Sequence, residues 1–275
     1  MGRVYTLPAA IAVLALAATL VAAATASRAR TEPPDPVPLA AAPATTLVPR
    51  ARLAARPRAH PARSAHRRHA RAHDRRSEVL AIRRGRTVEL RSRPKGGVVA
   101  RIRDHTDFGS PTVLAVAAHR GSWVGVTTTN LPNGQLGWLK PRSSDVTRRR
   151  VGVEIVVSLS RRSLSLKAGR RTVRTVAVAI GRPGSETPKG RFAVTDRISG
   201  AAFGPYYGCC ILALSGHQPH TPAGWQGGDR LAIHGTDSPG VIGTAVTAGC
   251  LRASDSDLHV LMQRVPLGTP VVIRG

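Results

Sequence analysis

Short apolar runs separated by turn residues fill the chain from about residue 78 onward, and they constrain its fold more than any other feature. Examples are Val79 to Ile82 and Trp123 to Val126, with turns such as Pro132-Asn133-Gly134 between them. Runs of about four to six residues with this punctuation are typical of β-strands. The 27 glycines and 21 prolines leave little sequence for long helices. The sequence therefore predicts a mainly β chain.

The last third of the chain continues this pattern and adds one helix. Strands are predicted at Val153 to Val157 and Val173 to Ile180, with a final strand at Thr269 to Ile273. Ser254 is a candidate helix cap, with Asp257 three positions further on. Apolar residues then recur at helical spacing: Leu258, Leu261, Met262 and Val265. We expect a short C-terminal helix packed on a sheet.

The first 76 residues differ in composition from the rest. Residues 1–27 combine Arg3, an apolar stretch from Leu7 to Val21 and the small-residue pattern Ala24-Thr25-Ala26, as in a secretory signal peptide. The stretch is also long enough for an uncleaved membrane anchor. Residues 28–76 mix proline, alanine and arginine without hydrophobic periodicity, which predicts a disordered linker. The chain is therefore expected to be exported.

The net charge of +26, from 41 Lys and Arg against 15 Asp and Glu, raises the question of nucleic-acid binding. Ten of the arginines fall between Arg50 and Arg76, within the predicted linker. Such a concentration indicates a basic tether and not a folded surface that reads nucleic acid. We predict no nucleic-acid partner.

One cysteine and one histidine form a candidate catalytic pair. A free thiol near its ordinary pKa is only slightly ionised at neutral pH, so a nucleophilic cysteine needs a nearby base. Cys250 follows His234 by 16 positions, a separation that suits a strand end returning through a loop to a turn. Gly249 would permit an unusual backbone angle, and the N–H groups of Gly249 and Cys250 are candidate oxyanion donors.

The segments around this pair carry a family resemblance. Leu231-Ala232-Ile233-His234-Gly235-Thr236, followed by Gly249-Cys250-Leu251-Arg252, resembles the L,D-transpeptidase catalytic domain of the YkuD type. The resemblance covers most of residues 151–275, including the turn Thr187-Pro188-Lys189-Gly190. It implies a β-sandwich catalytic domain. Many family members have a histidine before the Gly-Cys pair, where this chain has Thr247-Ala248.

The resemblance also implies a reaction and roles for the residues. Cys250 would attack a peptidoglycan tetrapeptide stem, release D-alanine and form a thioester that a neighbouring stem amine resolves. His234 would act as general base and then acid, oriented by the Gly235 carbonyl. Substrate contacts are expected from Thr236, Thr247 and Arg252, although Arg252 could instead pair with Asp255 or Asp257. Carbapenem-type β-lactams would acylate Cys250, and no cofactor is required.

Two other functions remain open: an L,D-carboxypeptidase that passes the thioester to water, and a non-catalytic cell-wall-binding protein. The cell-wall-binding function would depend on residues 77–146, whose apolar runs around Trp123 and Trp138 resemble a small SH3-like β-barrel. Both tryptophans are expected in its core. The triple arginine Arg148-Arg149-Arg150 should lead into the next region. The basic linker would bind anionic wall polymers or membrane headgroups, or serve as a solvated spacer.

The remaining cysteines and histidines are expected to have structural roles. Cys209 and Cys210 are adjacent, which argues against a disulfide between them, and at least one should be buried. Their spacing with the histidines matches no compact zinc pattern, so we predict no metal site. Surface or loop positions are expected for three histidines: His217, His220 and His259.

Overall fold

The structure is a computed structural model, and it describes residues 76–225 and 227–275. The predicted signal peptide or anchor and nearly all of the predicted linker lie outside these residues. Within them, no helix has the length and apolar character needed to cross a membrane.

The first part of the described chain forms a seven-stranded sheet. Its strand order is β3-β2-β6-β5-β4-β1-β7. Buried Leu80, Leu90 and Val126 belong to its core, and Trp138 is also buried. The strands are β1 (Ser77–Ile82), β2 (Thr87–Arg91), β3 (Val98–Arg103), β4 (Val113–Arg120), β5 (Trp123–Val126), β6 (Gly137–Leu139) and β7 (Val146–Val151).

The triple arginine lies inside the last of these strands and not in a connection. β7 pairs with β1 along its whole length, from Val146 opposite Ile82 to Val151 opposite Ser77. The first sheet therefore continues to Val151, beyond the predicted boundary at residue 146.

The second part of the chain forms an eight-stranded sheet, in the order β10-β9-β8-β17-β12-β13-β14-β16, and a two-stranded sheet of β11 and β15. Its elements are β8 (Val153–Ser158), β9 (Ser163–Ala168), β10 (Arg171–Ala177), β11 (Ile180–Gly181), β12 (Gly190–Ser199), β13 (Cys210–His217), β14 (Arg230–His234), β15 (Ala245–Thr247), β16 (Leu251–Arg252), α1 (Asp255–Arg264) and β17 (Pro270–Arg274).

Alternation of apolar and polar residues explains how the sheet buries one face. In β9, Leu164 and Leu166 are fully buried, whereas the serines beside them are half-buried. Successive side chains of a strand point to opposite faces, so the leucines share the core face. β17 completes the sheet by pairing parallel to β8 and antiparallel to β12.

Helix α1 covers this core and has the predicted cap. The Ser254 hydroxyl accepts the N–H of Asp257 at 3.1 Å, and Asp255 and Asp257 occupy the first turn, where acidic groups favour the helix dipole. Leu258 and Leu261 are fully buried against the sheet. The prediction of a mainly β chain with a short C-terminal helix is confirmed.

Hydrogen bonds join the two large sheets at two places. Thr106, after β3, donates its hydroxyl to the buried carboxylate of Asp196 in β12. Asn133, between β5 and β6, binds the backbone of His217 at the end of β13. The β13–β14 hairpin is thus held by the first sheet as well as by its own neighbours.

Replacing Leu258 by alanine should lower the free energy of unfolding by about 2–5 kcal/mol, because it leaves a cavity between α1 and the sheet. The measurement is urea unfolding followed by circular dichroism. Gln263→Ala on the exposed face of the same helix is the control and should change stability by less than about 0.5 kcal/mol. Equal effects of the two substitutions would contradict the packing described for α1.

Candidate active site

Parallel pairing of β14 with β16 brings the candidate nucleophile and base together. Ile233 lies opposite Leu251 and His234 opposite Arg252, and Cys250 immediately precedes β16. The Cys250 Sγ lies 3.7 Å from the carbonyl oxygen of Arg230, at the start of β14. The separation of 16 residues in sequence is thus closed by two neighbouring strands.

His234 is buried and carries its proton on a defined nitrogen. Its side chain is 1% exposed, and Nδ1 lies 2.7 Å from the Gly235 carbonyl oxygen. Because a carbonyl only accepts, Nδ1 is the protonated nitrogen of the neutral ring. Nε2 has no hydrogen-bond partner among the described residues. Its lone pair is therefore available to accept a proton.

The surroundings of His234 keep the imidazole neutral. Burial lowers its pKa from 6.5 to about 4, the bond to Gly235 opposes this change, and the charge of Arg252 adds to it. A neutral imidazole at ordinary pH is the form that a general base requires.

Cys250 is a partly buried free thiol. Burial raises its pKa, while the Ala232 backbone and the positive charge of Arg252 oppose that change. The resting thiol is therefore neutral, and it needs a base to become a nucleophile.

The Gly249–Cys250 turn is fixed by two threonines. Gly249 has φ of +119°, donates its N–H to the Thr247 hydroxyl at 3.1 Å and accepts the Thr187 hydroxyl at 2.8 Å. The Thr247 hydroxyl in turn donates to the Cys250 carbonyl at 2.6 Å. The Gly249 N–H is therefore occupied within the turn, contrary to the expectation of two oxyanion donors here. The Cys250 N–H makes no hydrogen bond within the described part of the chain and is the remaining donor.

The two threonines expected to contact substrate face inward. Thr247 is buried, and its hydroxyl is used in the turn just described. The Thr236 hydroxyl accepts the N–H of Ser238 at 3.0 Å, and this side chain is also buried. Their substrate-binding role stays a prediction, whereas the structure gives both a role in holding loops.

Arg252 pairs with neither of the two acids considered for it. Asp257 accepts from Arg174 at 2.9 Å, and Asp255 accepts backbone N–H groups. The Arg252 guanidinium instead lies 4.0 Å from the centre of the Tyr206 ring and forms no ion pair within the described residues. Its charge thus remains available to a carboxylate.

Two adjacent tyrosines, which the sequence analysis did not select, form one wall of the site. Tyr206 and Tyr207 lie in a 3-10 helix, Pro205–Tyr207, with ring centres 5.7 and 4.9 Å from that of His234. The pKa of Tyr207 is raised by burial and then by Cys250, so Tyr207 lies near both members of the pair. The signal in the sequence was the Gly204-Pro205-Tyr206-Tyr207-Gly208 segment, in a chain with three tyrosines.

Asp255, at the start of α1, has a role in the site other than the pairing with Arg252 considered from the sequence. Its carboxylate accepts the N–H of Cys209 at 3.0 Å and that of Thr236 at 3.1 Å. It thereby ties the segment after the tyrosines to the segment that contains Gly235. The peptide group that carries the Gly235 carbonyl is therefore held through its Thr236 N–H.

Cys209 and Cys210 form a disulfide with each other, which corrects the expectation from their adjacency. Cys209 lies in the turn after Gly208, and Cys210 is the first residue of β13. In a regular strand, neighbouring side chains point to opposite faces of the sheet. Cys209 precedes the strand, so this alternation does not separate it from Cys210. Cys210 is buried, as expected for one of the two. Cys250 is left as the free thiol among the three.

An open groove of about 330 Å³ adjoins the site. It is lined by Arg182, Tyr206, Trp225, Val246, Ala248 and Arg252, among others. The groove combines two arginines with two aromatic rings, so it suits an extended ligand that carries a carboxylate.

Comparison with known proteins agrees with this geometry. The family model for the YkuD L,D-transpeptidase catalytic domain matches residues 152–273. YqjB of Bacillus subtilis, named as an L,D-transpeptidase, is 30% identical over 128 residues, which cover 43% of this chain and 69% of that protein. The chain belongs to the L,D-transpeptidase family.

Two further similarities describe the extent of the match. YkuD of Bacillus licheniformis is 36% identical over 121 residues, covering 43% of this chain and 64% of that protein. The chain thus spans 64% of the length of this relative, which is less than two thirds. The solved L,D-transpeptidase from Mycobacterium smegmatis is 17% identical, with a TM-score of 0.36, and the match covers 59% of this chain and 90% of that one.

Removing one tyrosine ring should raise the pKa of His234. Tyr207→Ala exposes the imidazole, so we expect its pKa to move from about 4 toward 6.5. NMR titration of the His234 ring measures this directly, with Val98→Ala on an exposed strand of the first sheet as the control. An unchanged His234 titration in Tyr207→Ala would show that the tyrosine does not keep the imidazole neutral.

Proposed function

We propose that this protein is an L,D-transpeptidase that cross-links peptidoglycan stem peptides through a thioester on Cys250. The observation that carries the proposal is a neutral, buried imidazole, whose Nε2 has no partner among the described residues, near a neutral thiol immediately before the neighbouring strand. Family membership supports the reaction class.

The first half-reaction transfers an acyl group to sulfur. His234 Nε2 takes the Cys250 thiol proton as sulfur bonds to the stem carbonyl carbon, and the Cys250 N–H is placed to donate to the developing oxyanion. The amide C–N bond then breaks, and the proton on Nε2 passes to the departing D-alanine amine. The product is a thioester.

The second half-reaction transfers the acyl group to an amine. The acceptor amine attacks the thioester and loses a proton to His234 Nε2. The C–S bond breaks, and the sulfur regains that proton. Only the protein's own groups are needed, and none of these steps requires a cofactor.

The groove beside the site supports a peptide substrate with a carboxylate. Arg252, two residues after Cys250, has no acid partner in the described residues, and Arg182 lines the same groove. Tyr206 and Trp225 supply aromatic surface along it. A stem peptide that carries carboxylates fits this combination.

Cys250→Ala should abolish D-alanine release from tetrapeptide stems, because no other free thiol is available. Carbapenem-type β-lactams should add a single mass to the parent protein, and intact mass spectrometry should show no such adduct on the variant. Val98→Ala is the control and should keep both properties. D-alanine release by Cys250→Ala at the parent rate would refute the assignment. Adding an acceptor stem distinguishes the cross-linked product of a transpeptidase from the hydrolysis product of a carboxypeptidase.

We further propose that the chain is exported and that the first sheet is an SH3-like module connected by the basic segment to the cell envelope. The apolar, alanine-rich start of the sequence and the arginines between Arg50 and Arg76 support this proposal. In a bacterial host, the protein should be recovered outside the cytoplasm, and mass spectrometry of its N-terminus should distinguish a cleaved leader from an anchor. Recovery in the cytoplasm alone would contradict export.

A further inference from the structure

We propose that Gln218 is a positioning residue for Cys250 and that the first sheet holds Gln218 in place through His217. The inference rests on the proposed function only in taking Cys250 as the nucleophile. Gln218 follows directly after β13 and touches neither the thiol nor the imidazole in the contacts described.

The Gln218 amide joins the two segments that shape the nucleophile turn. Its side chain is 5% exposed, and Nε2 lies 3.1 Å from each of three carbonyl oxygens, those of Ser185, Glu186 and Ala248, which share its two hydrogens. Ala248 leads into Gly249, while Ser185 and Glu186 lead into Thr187, whose hydroxyl donates to the Gly249 carbonyl. One amide therefore fixes the turn from both sides.

The amide also packs against Gly249 itself. A Cβ added to Gly249 would overlap Nε2 of Gln218, and φ of +119° already disfavours any other residue there. The space at the turn is thus defined by Gln218. If the amide moved, the backbone that sets the position of the Cys250 Sγ would lose its support.

The other side-chain polar atom of Gln218 and its backbone N–H are engaged as well. Oε1 accepts the N–H of His220 at 3.1 Å, and the Gln218 N–H donates to the Asp229 carbonyl at 2.6 Å. Asp229 directly precedes Arg230, whose carbonyl contacts the Cys250 Sγ. Through Asp229, Gln218 is therefore also linked to the Arg230 carbonyl, the backbone group that contacts the Cys250 Sγ.

The first sheet binds the residue immediately before Gln218. The Asn133 side chain accepts the His217 N–H at 2.9 Å and donates to the His217 carbonyl at 2.6 Å. The His217 ring forms two further hydrogen bonds. Nε2 lies 2.7 Å from the Thr129 carbonyl oxygen, and Nδ1 lies 3.0 Å from the Asp229 carboxylate. Because Asn133 holds the His217 backbone, it sets where Gln218 begins, and so connects the first sheet to the catalytic turn.

The decisive variant is Gln218→Met, which keeps the length of the side chain and removes its donors. We expect kcat for D-alanine release to fall about 10- to 100-fold with KM within about twofold, because displacing a reacting group by about 1 Å has effects of that size. The rate of Cys250 alkylation by iodoacetamide should fall in parallel. Gln263→Met, on the exposed face of α1, is the matched control and should leave all three values unchanged.

Asn133→Ala tests the link to the first sheet from an exposed loop. We expect a smaller fall in kcat and in the alkylation rate, about threefold, with KM unchanged. Thermal unfolding of Gln218→Met will show whether that variant folds. If it does not, Asn133→Ala provides the test. If kcat and the alkylation rate are unchanged in Gln218→Met or in Asn133→Ala, the proposal is overturned for that residue. A rise in KM without a fall in kcat would overturn it as well.

The alkylation measurement separates this inference from the proposed function. If the parent protein releases no D-alanine, the proposed function fails. The comparison of Cys250 alkylation rates between parent, Gln218→Met and Gln263→Met still tests whether Gln218 positions the thiol.

Discussion

The parallel pairing of β14 with β16 is the constraint on which the rest of the site depends. It fixes His234 opposite Arg252 and places Cys250 one residue before the pair begins. A parallel pair needs a long connection, and the residues between the two strands supply β15 and the turn at Gly249. The other features of the site either bury this pair of strands or hold the connection between them.

Burial determines the chemistry of the pair. Tyr206 and Tyr207 cover the imidazole, and the loss of solvent lowers the pKa of His234 while burial raises that of Cys250. Both groups are therefore neutral at rest, so in the proposed reaction a proton must pass from Cys250 to His234. The same burial makes the folded state less stable in acid. Between pH 6.5 and about 4, His234 binds a proton in the unfolded chain but not in the folded one. The free energy of unfolding therefore falls as the pH drops through this range.

The hydrogen bonds around the pair are mostly between side chains and backbone. Asp255 holds the segment carrying Gly235, and Thr187 and Thr247 hold Gly249. Such bonds position backbone groups at a site without occupying the space a substrate needs. The Thr247 hydroxyl forms two such bonds within the turn, donating to the Cys250 carbonyl and accepting the Gly249 N–H.

The sequence by itself determined the mainly β fold and the capped helix at Ser254, because these depend on local periodicity and on short motifs, and it selected Cys250 and His234 as candidates. Tertiary structure alone decided the partners of groups distant in sequence. Asp255 meets Thr236 and Gln218 meets Ala248 only after strands have paired, and Arg252 lies over Tyr206 and not beside an acid. The disulfide between Cys209 and Cys210 likewise depends on where β13 begins, since side-chain direction follows from the backbone path and not from adjacency.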